Sequence, residues 1–247
     1  MRSLLMFIYS IIAYLIGFAS LLFWILSTSH LIPAISIDRS PEIAIHWALL
    51  KNIGLVLLFG LQHSIMARPV FKNWFTRVMP RPIERSTYVL ISGLLLVLLV
   101  WQWEPMGGNV WSLDTGSTGY YIMYTLFFLG WIILFISTFL INHFDLFVLR
   151  QTYFELTKKP YTNLEFRITG FYKYVRHPLY FGGILGIWAT PEMSMTHLSF
   201  AILLTSYFVI GTLFEERDLR KEFGDLYREY SRKTPMLIPL TKFRKDS

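Results

Sequence analysis

Residues 4–27 contain no charged side chain, and the run exceeds the roughly 20 apolar residues a helix needs to cross the hydrocarbon core. Lipid offers no hydrogen-bond partners, so such a run must close its backbone bonds on itself, as a helix does. It is too long for the apolar region of a signal peptide. The residues just beyond it, His30, Leu31, Ile32 and Pro33, form no small-residue cleavage site, so the run reads as a retained anchor. Five further apolar segments lie at about 43–66, 88–103, 120–142, 179–190 and 197–214. The expected fold is therefore all-α: a polytopic membrane helical bundle with five to six transmembrane segments.

Composition agrees with that reading. The 247 residues are 54% apolar and only 16% charged, against about 25% charge in a soluble domain. Cysteine is absent, which excludes disulfides, thiolate zinc sites, iron–sulfur clusters and a cysteine nucleophile. The net charge of +7 is read through its distribution, since cytoplasmic loops collect Lys and Arg. The connection after the second segment carries Arg68, Lys72, Arg77, Arg81 and Arg85. The connection after the fourth carries Arg150, Lys158, Lys159, Arg167, Lys173 and Arg176, and nine more basic residues lie between Arg217 and Lys245. Residues 104–119 and 191–196 have none, and residues 28–42 have only Arg39. This alternation predicts that both termini and the two long loops face the cytoplasm. The lipid bilayer is the expected partner; nucleic acid and an obligatory protein partner are not expected.

The fifth segment is too short to span as a straight helix. Pro178 begins it and Pro191 ends it, so it is expected to form a tight helical hairpin with the sixth. Gly182 and Gly186 put a small-residue face on it, open either to a neighbouring helix or to a ligand. Beyond the sixth segment, residues 215–233 are dense in charge but keep Leu219, Phe223, Leu226, Tyr227 and Tyr230 at three- and four-residue spacing. That pattern predicts a cytoplasmic C-terminal amphipathic helix. The whole chain, 1–247, is read as one membrane domain, with 1–142 as an N-terminal four-segment bundle and 176–239 as the region that carries chemistry.

Five features fall at one membrane face once the topology is drawn: Arg176-His177-Pro178-Leu179-Tyr180, the glycines Gly182 and Gly183, Glu215-Glu216, Phe223-Gly224-x-x-Tyr227-x-x-Tyr230, and Ile238-Pro239. Together they resemble the isoprenylcysteine carboxyl methyltransferase and phospholipid methyltransferase superfamily. Upstream, Gln62-His63-Ser64-Ile65-Met66-Ala67-Arg68, Glu84-Arg85-Ser86-Thr87-Tyr88, Trp101-Gln102-Trp103-Glu104-Pro105, and Asn142 to Gln151 are similar to the bacterial methanethiol S-methyltransferases. Val148 stands where that likeness leads one to expect a glycine.

The resemblance implies that S-adenosylmethionine is bound by Arg176, His177, Pro178, Tyr180, Gly182, Gly183, Glu215, Glu216, Tyr227 and Tyr230. The chemistry suits those residue types, because a guanidinium takes a carboxylate as a fork, a carboxylate takes an ammonium, and tyrosines stack on adenine or face a cation. The implied reaction converts methanethiol, a small-molecule thiol, to dimethyl sulfide by direct displacement at the methyl carbon. Relatives with a different acceptor, an isoprenylcysteine carboxylate or a lipid amine, and a non-enzymatic assembly factor of nitrite and nitric oxide reductase clusters remain as alternatives.

Ionisable residues inside apolar segments are costly and tend to be functional. His63, His143 and Asp145, with Glu215, are the expected catalytic residues, His63 and His143 lying at the cytoplasmic ends of the second and fourth segments. The open alternative is that the histidines only bridge helices. Transfer from a sulfonium needs no metal, and no metal site is expected.

Overall fold

The computed structural model describes residues 1–162 and 166–241. Residues 242–247, with the last of the basic tail, lie outside them. The main helices are α1 (Arg2–Thr28), α2 (Ile45–Ala67), α3 (Pro69–Phe75), α4 (Arg81–Trp101), α5 (Thr118–Ile141), α6 (His143–Leu146), α7 (Leu149–Leu156), α8 (Pro178–Trp188) and α9 (Met195–Lys233). A two-stranded sheet pairs β1 (Asn109–Ser112) with β2 (Glu192–Ser194). Five helices, α1, α2, α4, α5 and α9, are long and apolar enough to cross a membrane. The protein is an all-α, multi-pass membrane bundle.

The helix limits follow local chemistry. Helix α4 begins seven residues before the third apolar run, with proline in its first turn. That polar first turn is used: Arg85 reaches Asp145 and Ser86 reaches Ser10. Helix α5 stops where Asn142 leaves helical geometry and accepts a hydrogen bond from the Asp145 amide, capping α6. Helix α8 starts on Pro178 and has 11 residues, about 16 Å at the α-helical rise. That is about half the roughly 30 Å hydrocarbon thickness. Helix α9 runs through the sixth apolar segment into the charged tail and breaks at Gly224, where φ is 54° and ψ is −126°. Only glycine takes that conformation without a steric cost.

The chain divides into two compact units. Unit 1 holds residues 1–111, 142–163 and 192–200; unit 2 holds 112–141, 164–191 and 201–247. In unit 1, α1 lies against α4 at Gly17 and Gly93, where a Cβ on Gly93 would stand 3.0 Å from the Gly17 Cα. The same seam carries Ser10–Ser86 at 2.6 Å and Tyr9–Thr87 at 3.0 Å. Asn52 exchanges two hydrogen bonds with the Glu104 backbone, at 2.9 and 2.8 Å, and Lys51 pairs with the Glu104 carboxylate at 2.6 Å.

In unit 2, α8 lies against α5 through glycines on both helices. A Cβ on Gly182 would stand 2.5 Å from the Gly130 carbonyl oxygen, and a Cβ on Gly130 would stand 2.4 Å from the Gly186 nitrogen. Close backbone approach is how helices associate where lipid competes with apolar side chains. The small-residue face of the fifth segment is thus occupied by α5. The expected hairpin between α8 and α9 is tied by Trp188, whose Nε1 donates to Thr205 Oγ1 at 2.9 Å.

Candidate functional site

In unit 2 the chain around 176–177, the first cytoplasmic turns expected of α9 and the segment after it converge on one carboxylate. Glu216 is buried. Its Oε1 accepts from Arg176 Nε at 2.6 Å and from Tyr227 Oη at 2.7 Å, and lies 2.9 Å from His177 Nε2. Its Oε2 accepts from Arg220 at 3.1 Å. A desolvated carboxylate is tolerable only when paired and hydrogen-bonded, and here four side chains do so.

Arg176 is buried too, and it uses its remaining reach on the chain end. One guanidinium nitrogen donates to the carbonyls of Ser231, at 3.0 Å, and Thr234. The backbone continues the tie, with the Arg176 amide donating to Pro235 O at 2.9 Å and the His177 amide to Met236 O at 3.1 Å. The kink at Gly224 lies between Glu216 and Tyr227, so the 2.7 Å bond closes across it. Arg176 and Glu216 therefore hold the segment after α9 onto the start of α8.

Glu215 differs from its neighbour. Its side chain is 44% exposed, and its carboxylate lies 3.7 Å from His177 Nδ1. The aromatic groups of this constellation include two, Tyr172 and Phe166, that no motif in the sequence marks out. Tyr230 donates to the Tyr172 carbonyl at 2.6 Å. Burial pushes the Tyr172 phenol above its usual range, and the Glu215 carboxylate adds to that shift, so the phenol stays protonated. Phe166 places its ring 5.0 Å from Phe223, 5.8 Å from Tyr227 and 5.7 Å from Tyr230. Tyr180 sits 5.8 Å from the His177 ring and 5.5 Å from Phe208. Gly182 faces Gly130, and a Cβ on Gly183 would meet Phe208 at 3.2 Å. Pro178 is buried at the first turn of α8.

The expected acceptor-side residues lie in unit 1. His63 Nε2 is 2.6 Å from the Tyr88 hydroxyl, and His143 Nε2 is 3.1 Å from the Tyr14 hydroxyl. Burial holds the His143 imidazole below its ordinary pKa, hence neutral near pH 7. Asp145 forms its own carboxylate centre. It accepts from Arg85 at 2.9 Å, Arg150 at 3.2 Å, Gln151 at 3.1 Å and Tyr161 at 2.9 Å. These donors, on α4, on α7 and in the loop beyond it, make Asp145 a tie between segments. Tyr14 escapes a reading of the sequence, because nothing in the spacing of tyrosines on a long apolar helix separates a partner of histidine from a lipid-facing ring; Tyr88 stands in a motif there, but not as a partner of His63.

Val148 has φ +73° and is fully buried. A β-branched residue in the left-handed region is strained, which gives the expected glycine its physical reason.

Taken together, these features define an integral membrane protein with a polar, aromatic-lined constellation at the foot of a helical hairpin. The family model described as NnrU protein matches residues 52–237. A relative from Crocosphaera subtropica, named methanethiol S-methyltransferase, is 50% identical over 204 residues, covering 83% of this chain and 80% of the relative. One of the same name from Mycobacterium tuberculosis is 41% identical over 239 residues, covering 97% and 98%. Methanethiol S-methyltransferase 1 of Bradyrhizobium diazoefficiens is 43% identical over 233 residues, covering 94% and 81%. No solved structure matches the chain. The chain belongs to the methanethiol S-methyltransferase family, within the NnrU proteins.

Proposed function

We propose that this protein methylates methanethiol with S-adenosylmethionine, giving dimethyl sulfide and S-adenosylhomocysteine. The observation that carries the proposal is the pairing of a fully engaged Glu216 with a half-exposed Glu215 beside an aromatic group, in a chain whose relatives are named methanethiol S-methyltransferase. The donor set suits the cofactor. Glu215 can take the ammonium of the amino acid moiety, and Tyr180, Tyr230 and Phe166 offer ring faces to adenine or to a sulfonium cation. Arg176 and Glu216 act as positioning residues, since their hydrogen bonds go to each other and to the chain segment after α9. When bound, the cofactor supplies a methyl group already activated on a sulfonium sulfur.

The protein must then orient the thiol, exclude water and accept one proton. The sulfur forms the new S–C bond as a thiolate while the bond from that methyl to the sulfonium sulfur breaks, and the thiol proton passes to a base, a role for which His63 and His143 are proposed on the sequence alone. His143 is held in the neutral form that this role needs. We place both termini on the cytoplasmic side of a bacterial inner membrane, on the distribution of Lys and Arg.

The test is purified protein in detergent with methyl-labelled cofactor and methanethiol, reading dimethyl sulfide in the headspace. Labelled dimethyl sulfide is expected. Cofactor binding without dimethyl sulfide overturns the acceptor, and absence of cofactor binding overturns the donor as well.

A further inference from the structure

We propose that His30, Asp38 and His197 bind one divalent transition-metal ion of the zinc class. All three belong to unit 1. His30 lies just past the C-terminal end of α1, Asp38 in the loop after it, and His197 in the first turn of α9. No motif in the sequence links them, and none enters the proposed methyl transfer.

The ligand geometry is the first argument. His30 Nε2 lies 3.1 Å from His197 Nδ1 and 3.5 Å from Asp38 Oδ2, and one ligand atom from each of the three residues lies within 4.8 Å of the others. Zinc–nitrogen and zinc–oxygen bonds of about 2.0–2.2 Å in a tetrahedron put neighbouring ligand atoms about 3.3 Å apart. The two distances from His30 Nε2 are close to that edge length, and the third pair lies within 4.8 Å. Two imidazoles and a carboxylate, leaving the remaining position for water, are a ligand set suited to divalent zinc or iron.

The surroundings are the second argument. A hydrogen bond between neutral imidazoles accounts for the His30–His197 contact, whose rings are within 16° of parallel. It does not account for Asp38 Oδ2, which is buried and has no hydrogen-bond partner among the described residues. A carboxylate oxygen accepts and never donates when ionised, so two facing imidazoles with one proton between them leave it unserved. A cation satisfies all three at once.

The other oxygen is fixed from outside the cluster. Ser194 donates its hydroxyl to Asp38 Oδ1 and accepts from the His197 amide at 2.9 Å, so one side chain positions the carboxylate and caps the helix that carries a ligand. The Asp38 amide donates in turn to Ser36 Oγ at 3.1 Å. Outer hydrogen bonds of this kind orient metal ligands. His197 is fully buried, and His30 holds φ at +60°, a left-handed conformation that a residue with a Cβ takes only under constraint. That conformation turns the ring at the end of α1 towards α9. The ion would clamp the α1 exit loop to the start of α9.

The experiment uses the full chain in detergent, stripped with a chelator and dialysed against Co2+ or Zn2+ alone. The expected result is one ion per chain by elemental analysis, with visible Co2+ absorption of low-symmetry, four- or five-coordinate type and a rise in melting temperature. His197→Gln is expected to lose the ion and the spectrum. Asp38→Asn, which preserves shape and keeps the Ser194 contact, is expected to weaken binding at least tenfold and shift the absorption. Circular dichroism at 222 nm identifies a misfolded variant, in which case Asp38→Asn alone decides. A wild-type protein that takes up no ion, or variants that bind as the wild type does, overturn the proposal.

Discussion

Each unit contains one buried carboxylate with four side-chain partners, and the two centres differ in what stands beside them. Asp145 in unit 1 draws on Arg85, Arg150, Gln151 and Tyr161, and its partners come from three separate stretches of chain. Glu216 in unit 2 draws on Arg176, His177, Tyr227 and Arg220. Beside the second, among the described residues, stands an adjacent acid, Glu215, half-exposed and 3.7 Å from the His177 imidazole. A saturated carboxylate is a construction element, and the partly exposed neighbour is where a ligand can be met. The rule separates two residues that look equivalent in the Glu-Glu pair.

The strongest challenge to this comparison is Arg176→Ala. It strips Glu216 of its closest partner and leaves two carbonyls unserved, so a loss of about 3–5 kcal/mol is expected, read by thermal unfolding. Binding of S-adenosylhomocysteine, read by calorimetry, is expected to vanish with it. Asp145→Asn is expected to cost about 2–3 kcal/mol, because Arg85 and Arg150 lose their counter-charge and one of the two carboxylate oxygens becomes a donor. Protein that remains folded is expected to bind the donor within about twofold of wild type, since none of the four partners of Asp145 is proposed to hold the donor; a larger loss would erase the distinction between the centres.

Gly182→Ala drives a methyl against the Gly130 carbonyl, and about 1–3 kcal/mol of overpacking cost is expected. Glu215→Gln should leave the melting temperature alone and weaken donor binding about tenfold, which corresponds to roughly 1.4 kcal/mol. Equal affinity would remove Glu215 from the site. The smallest effect concerns acid. His143 has a folded pKa below its usual 6.5, so its neutral form contributes stability that is fully present above about pH 6.5. That stability is lost as pH falls and the unfolded chain takes up the proton first. His143→Gln is expected to flatten the wild-type fall in unfolding midpoint below about pH 6.5.

Much of the fold is legible in the sequence because lipid permits so few solutions. The long apolar runs could only be helices, and the prolines at 178 and 191 bracket α8 closely. The early start of α4 was hidden, since a charged first turn looks like a loop until its side chains find Asp145 and Ser10. The Arg-His, Glu-Glu and Tyr motifs fall together as their order implied. Their division of labour was not readable, because a buried Glu216 and an exposed Glu215 differ only by about 100° of helix rotation. His197 lies about 160 residues beyond His30 and Asp38, and no local pattern could have joined it to them.

Helix α8 covers only about half the thickness of the hydrocarbon layer. For the proposed reaction this places the work at a boundary between two solvents rather than inside either. The charged donor and its spent form belong to water, while a volatile, uncharged thioether partitions into lipid. The membrane would then drain one product continuously, while the other returns to water.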